Sequence, residues 1–406
     1  MELNVRSLIR NYILFNLQRE EDYDPVYEDS RRTIKRLAAF NLLKRNQLRL
    51  QTITALAKMR KNRRWWVRPI FLDRKLAGAW FSLIPVMREF DEEAFFNFLR
   101  MTPACFDWLL EQIAHLITKE DTRRESISAG ERLAVTLRYL ASGDSQISIS
   151  YLFRISDRTK FPMRGSELYN YKFGNSIILF AVSDAKYKFI AVDVGARGRE
   201  HDAGVFDRSD FGKLYNNHQL QLPPSVYNPD VMESLPYVFL GDSAFTLDTH
   251  LILPFDSGYK PEEIVFNYRL SRARRVVENA FGILASRFRI FRSSMIGSET
   301  LVQNIVLSAT ALHNLHLMRE DSIPPRQRLY LPEGYADVYE SNGHLKKGRW
   351  RNENKDEENS ILKKLESQEM VHANVLSGTA VREKFLDLFI KNSLPWQYDD
   401  LPDVIP

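Results

Sequence analysis

A single cysteine, Cys105, in 406 residues excludes an internal disulfide, and with only eight scattered histidines it also excludes the common zinc-finger spacings. No run of about 18 apolar residues is present to span a bilayer, and no secretory leader opens the chain. These absences predict a soluble protein of a reducing compartment, nucleus or cytosol, with no membrane among its partners. No internal repeat is found. Acids are nearly missing from one stretch: between Arg31 and Lys75, Asp73 stands alone against fifteen Lys or Arg. The net charge of +5 is therefore unevenly spread, and the first quarter of the chain carries most of the positive potential.

What is present divides into four regions. Residues 1–76 form a basic, helix-favouring arm that ends in KNRRWWVRP. Arg63, Arg64 and Arg68 are candidates for DNA contact, although the same charges suit a solvated arm or a nuclear import signal, because a basic segment supplies affinity without sequence specificity. Trp65 and Trp66 read equally as packing anchors or base-stacking groups. Residues 77–156 read as helices, with Asp91 and Pro103 as start signals. There Ser128 opens a helix with Leu133, Leu137 and Leu140 on one face, and Gly143 and Asp144 turn the chain into a second short helix. That outline is either a DNA-reading helix-turn-helix or a helical hairpin of the core.

Residues 161–320 change character. NSIILFAVS and KFIAVDVG have strand length and are rich in Val and Ile, so they predict an antiparallel hairpin turning at Asp184. A helix near 208–216 follows, then a short apolar strand, Tyr237 to Leu240, that ends in Gly241 and Asp242. Helices over 266–291 and 301–318 complete a mixed α/β arrangement. Residues 321–406 read as a polar, solvated tail with one docking helix, AVREKFLDLFIK.

Two acids stand out. Asp242 lies just past the carboxyl end of a buried strand, where open α/β sheets place ligand-binding groups, but an Asp in Gly-Asp-Ser is also an ordinary turn residue. Glu278 is the lone acid of FNYRLSRARRVVENAFGILASRFRIF, among six arginines. At 100° per residue it falls at the edge of the apolar arc, on a stripe shared with Gly282 and Ala285, whose lack of bulk leaves room for an ion and a substrate backbone. The competing reading pairs Glu278 with Arg274 or Arg275 at the surface, worth about a few tenths of a kcal/mol. If Asp242 and Glu278 converge, their oxygens suit Mg²⁺ or Mn²⁺, and Arg274 and Arg275 are then placed to meet phosphate.

The stretches RRWWVRP, RLAVTLRYLASGDS, GSELYNYK, FAVSDAKYKFIAVDVGARGREHDAGVF, GDSAF, FNYRLSRARRVVENAFGILASRFRIF and ALHN occur in the order in which they occur in PIF/Harbinger transposases and their domesticated nuclease relatives, which the sequence resembles from about Arg63 to His316. The resemblance implies an α/β fold, an RNase H-like mixed sheet behind an N-terminal all-helical region, and a DDE nuclease that hydrolyses DNA phosphodiesters with divalent Mg or Mn. It also implies nuclear localisation and a Myb-like partner protein that assists DNA binding. Asp242 and Glu278 match the family's second and third acidic residues.

The first acid, with the strand that carries it, has no counterpart between YLFRIS and GSELYNYK, so the sheet is expected to lack its first strand. Asp184 falls at the far end of the sheet, about 26 Å away over a strand of eight residues. Asp202, after the second hairpin strand, returns to the end that holds Asp242 and is the candidate replacement, against a structural role in its loop. His201 and His313 are expected to be structural. The alternative to a nuclease is a catalytically inactive, transposase-derived protein that binds DNA or a partner.

Overall fold

The computed structural model describes residues 44–45, 47–48, 67–120, 125–156, 177–197, 202–256, 260–353, 376–394 and 397. The chain divides into two compact units, Met1–Arg68 and Pro69–Pro406. In the first unit residues 44, 45, 47 and 48 are helical and exposed, and Arg68 is exposed. Arg63, Arg64, Trp65 and Trp66 lie outside the described residues.

The second unit begins with short helices: α1 (Arg74–Ala77), α2 (Ala79–Phe90), α3 (Glu92–Leu99), α4 (Pro103–Ile117), α5 (Ala129–Ser142) and α6 (Gln146–Leu152). Their starts are written in side chains that accept the otherwise orphaned backbone N–H groups of a first turn. Asp91 accepts from Ala94 N, Thr102 from Cys105 N ahead of Pro103, Ser128 from Glu131 N and Ser145 from Ser148 N. Gly143 ends α5 at φ 68°, and a Cβ there would sit 2.8 Å from the Arg289 carbonyl oxygen, so both conformation and close approach require glycine. Leu133 and Leu137 of α5 are buried with Phe95, Phe106 and Phe153, Leu140 is buried in the neighbouring cluster with Phe96, and each such ring contributes roughly 2–3 kcal/mol by burial. Glu131 is wholly buried against the Arg74 guanidinium, and burial pushes its carboxyl above the usual carboxylate range.

Strands β1 (Ile177–Ser183) and β2 (Phe189–Arg197) form the expected antiparallel hairpin. Asp184 makes its turn: Oδ1 accepts from Lys186 N at 2.9 Å and Lys188 N at 2.8 Å. Helices α7 (Asp202–Arg208) and α8 (Asp210–Asn216) follow, then β3 (Val226–Asn228), β4 (Glu233–Leu235), β5 (Phe239–Leu240) and β6 (Leu251–Ile252). Helix α9 (Pro261–Arg287) and helix α10 (Glu299–Glu320) precede the small hairpin β7 (Val338–Tyr339) and β8 (Leu345–Lys346), then α11 (Trp350–Glu353) and α12 (Leu376–Lys391). No described helix is long and apolar enough to cross a membrane.

The continuous mixed sheet expected from the sequence is not formed among the described residues. Hydrogen bonds join strands only in pairs, β1 with β2, β3 with β4 and β7 with β8 antiparallel, and β5 with β6 parallel. No further described strand bonds to β1 or β5, and side chains hold the two together instead. Phe206 of α7 meets Phe180 of β1 edge-on at 5.9 Å, and Phe211 of α8 meets Phe239 of β5 edge-on at 5.2 Å. One aromatic layer thus covers both strand pairs, in the geometry the ring quadrupole prefers.

Helices α9 and α10 attach to the strands and the segments beside them through asparagines that bond both the N–H and the C=O of one residue. Asn314 Oδ1 accepts from Phe189 N at 2.8 Å while its Nδ2 donates to Phe189 O at 2.8 Å. Asn267 does the same for Phe255, at 2.8 and 2.9 Å, and Asn279 for Asp337, at 3.2 and 3.3 Å. Each bracket satisfies two backbone polar groups, each of which would cost about 1–3 kcal/mol if buried without a partner.

The tail departs from its polar reading. Tyr330, Tyr335 and Trp350 are buried in the core cluster that holds Ala280, Ile283 and Leu284 of α9 and Phe288 just past its end. Helix α12 does dock: Phe389 packs on Phe266 at 5.5 Å, and Arg269 donates to the carbonyls of Phe389 and Asn392 at its carboxyl end. A long polar stretch masked these few aromatic anchors.

His313 is structural, as expected: Nδ1 bonds the Tyr330 hydroxyl and Nε2 the Tyr187 carbonyl, both at 2.8 Å. His316 stacks on Tyr330 at 4.5 Å, and its Nε2 has no hydrogen-bond partner among the described residues. Burial holds His313 down at about 4 and His316 at about 3, below the ordinary 6.5. Both folded values are depressed, so the stability they contribute is complete above pH 6.5 and is lost as the pH falls below it. From pH 7 to pH 5 the loss is about 2 kcal/mol per histidine. Urea midpoints should therefore fall over that range, and His316→Phe, which keeps the stack, should lose about half as much; equal slopes for parent and variant would contradict this.

Candidate functional site

The β5–β6 pair places Asp242. Phe239 N donates to His250 O at 2.7 Å and Gly241 N to Ile252 O at 3.0 Å, so the parallel ladder runs up to the residue before the acid. A Cβ on Gly241 would lie 2.8 Å from Leu253 Cδ2, so the Leu253 side chain packs directly over the glycine. Asp242 then closes its own turn, with Oδ1 accepting from Ala244 N at 3.2 Å and its carbonyl from Phe245 N at 3.2 Å. The other oxygen faces α9: Arg274 Nη2 donates to Oδ2 at 3.3 Å, with both side chains partly buried.

That contact fixes the face of α9 turned toward β5. Asn267, Arg274 and Glu278 share one stripe at heptad and one-turn spacing; Asn267 grips Phe255 beyond β6 and Arg274 grips Asp242 beyond β5. Glu278 follows Arg274 by one turn, about 5–6 Å further along the same face between Cβ atoms. It is exposed. The surface pair of Glu278 with Arg274 or Arg275 does not form among the described residues, because Arg274 turns to Asp242 and Arg275 lies over the Tyr339 ring, 5.4 Å from its centroid.

Gly282 and Ala285 do not make room for an ion. Gly282 is buried beneath Trp350, and a Cβ on it would lie 2.5 Å from Trp350 Cε3. Ala285 is buried in the same core cluster. Asn279 is what the sequence reading overlooked: its Oδ1 also accepts from Trp350 Nε1 at 2.9 Å, so it aligns the indole over the glycine. The polar residue beside Glu278 is the buried one, and the helix is rotated toward the tail relative to the apolar arc.

Asp202 opens α7 and is partly buried. Phe206, one turn on, meets Phe245 edge-on at 5.9 Å, so α7 packs against the loop that Asp242 starts. His201 lies outside the described residues. Among the described residues no three of His, Cys, Asp and Glu group as a metal site. The donors at Asp242 and Glu278 are carboxylate oxygens alone, which is the chemistry Mg²⁺ and Mn²⁺ take, with water completing the shell.

Residues 150–314 match the profile of a family described as DDE superfamily endonuclease. The matched stretch runs from α6 to α10 and contains Asp202, Asp242, Arg274, Arg275 and Glu278; Arg68 and the β7–β8 hairpin lie outside it. No curated protein and no solved structure matches the chain.

Substituting Gly282 with alanine tests the packing assignment. The helix gains about 1 kcal/mol in propensity, and overpacking against the indole costs roughly 1–3 kcal/mol. Gly282→Ala should therefore lower the thermal midpoint, and Trp350→Leu in the same chain should remove much of that loss. A midpoint raised by Gly282→Ala alone would place the indole elsewhere.

Proposed function

We propose that this chain is a divalent-metal-dependent DNA nuclease of the Harbinger transposase type, hydrolysing DNA phosphodiesters. Its fold on this reading is RNase H-like, with the first strand missing. The observation that carries the reading is the Arg274–Asp242 contact, which turns the helix face bearing Glu278 toward the strand end bearing Asp242, inside the stretch matched to DDE endonucleases.

Asp242 and Glu278 are the residues that would hold the metal, and Asp202 is the third donor in this assignment, supported by the packing of α7 on the Asp242 loop. The bound ion would supply Lewis-acid charge at the phosphate and lower the pKa of a bound water. Arg274 restrains the Asp242 carboxylate through one oxygen, and the Asx turn restrains the other, so the acid is oriented before any ligand arrives. Arg274 and Arg275 place positive charge beside the scissile phosphate, and Arg63, Arg64 and Arg68 of the basic arm add sequence-independent affinity for DNA. A Myb-like partner and a nuclear setting belong to the same proposal.

One feature favours the second reading, a catalytically inactive DNA-binding or partner-binding protein. Asp242 is already neutralised by a guanidinium, and the described residues assemble no three-carboxylate site. Plasmid DNA separates the two. With Mg²⁺ or Mn²⁺ the full chain should nick or linearise it, and Asp242→Ala and Glu278→Ala should each abolish the cleavage. A parent chain that leaves the plasmid intact while retaining DNA binding would replace the nuclease with the binding protein.

A further inference from the structure

Strands β1 and β5 each keep one edge without a strand partner among the described residues, although the same helices cover both. On one face Phe211 of α8 reaches the two strands, at 6.2 Å from Phe180 of β1 and 5.2 Å from Phe239 of β5. On the other face α9 lies against β1 and against β5. Alternation along β1 fits this layering. Phe180 meets the rings of α7 and α8, while Leu179 and Ala181 pack on the core cluster of α9 and α10. A strand covered on both faces and bonded on both edges is buried throughout, yet Ile178 is the only buried residue of β1. On β5, Leu240 is 39 % exposed. With the faces occupied, the missing cover is at the strand edges.

Those edges carry none of the devices that keep a strand unpaired. Ile177–Ser183 reads IILFAVS, and Tyr237 and Val238 lead into Phe239–Leu240, with no charge, proline or glycine in either run. Rings that meet a common third ring fit strands about two ladder spacings apart, roughly 10 Å. That width takes one strand. It does not take a hairpin, which excludes the paired strands of a second copy.

We propose that the gap between β1 and β5 receives a single extended segment of a partner protein, uncharged and apolar on both faces, which bonds to both free edges. Main-chain hydrogen bonds to two strands supply the affinity. Side chains at alternate positions meet the Phe211 layer and the α9 layer, which selects β-branched and aromatic residues. The inserted strand joins β1–β2 to β5–β6 and steadies β5, whose two-residue ladder leads to Asp242. The inference rests on strand edges and is independent of the nuclease reading.

The test is hydrogen exchange of the full chain, alone and with a lysine-flanked peptide of sequence IILFAVS, which has the required chemistry, read over Ile177–Ser183 and Phe239–Leu240. Peptide at about ten times its Kd should slow exchange roughly tenfold in both strands. The same peptide with proline at its centre, which lacks a ladder donor, should protect neither. Leu240→Lys, a substitution at an exposed position, should weaken peptide binding several-fold and leave the thermal midpoint unchanged. Protection of both strands in the chain alone at every chain concentration would mean that the chain fills its own gap, and protection that grows with chain concentration would mean that a second copy fills it. Either result overturns the proposal, as does a peptide that leaves either strand unprotected.

Discussion

The ion pair of Arg274 with Asp242 decides which face of the long helix meets the β5–β6 pair, and the other features of the site follow from it. A two-residue strand cannot fix the direction of its last side chain by ladder bonds alone. Here the ladder stops at Gly241, the Asx turn takes one oxygen of Asp242, and the helix takes the other. Asn267, two turns earlier on the same stripe, holds the loop after β6, so the helix is registered against the strand pair at two points. Glu278 lies one turn beyond the second point. Rotating α9 by a single residue would move Glu278 about 100° around the axis and break both attachments.

Much of this was legible in the sequence where the signal is local. The β1–β2 hairpin follows from two Val- and Ile-rich runs and a turn whose Asp accepts two backbone N–H groups. Ser128 and Asp91 cap the helices they precede and Pro103 begins its own, because a helix start depends only on the next few residues. What was not legible depends on residues far apart in the chain. Gly282 beside a glutamate reads as space for a ligand, and only the position of Trp350 shows that the space is filled by an indole. Asn267, Asn279 and Asn314 are polar residues in helices, a pattern that carries no information until the peptide each one brackets is known. They stand in FNYR, VENAFG and ALHN, stretches that carry the resemblance, so in this chain part of what those stretches do is attach helix to strand.

The tail changes meaning for the same reason. Tyr330, Tyr335 and Trp350 are few among many polar residues, yet they close the core over α9 and fix the β7–β8 hairpin beside it. Helix α9 thus works on two sides: one stripe reads the strand that ends in Asp242, and the adjacent stripe reads the tail through Asn279 and the arginines on Tyr339. The absence of a continuous sheet among the described residues gives the helix a larger share of the work, since the aromatic layer of α7 and α8 and the stripes of α9 are what connect β1–β2 to β5–β6.

The central claim is that Arg274 and Asp242 touch and hold strand to helix. A double-mutant cycle in urea, with Arg274→Ala, Asp242→Ala and the pair, measures that contact directly. The account predicts a coupling energy of about 1 kcal/mol, moderately reduced by added salt, as expected of an ion pair that is only partly buried. Strictly additive single substitutions, with no coupling at any salt concentration, would contradict it.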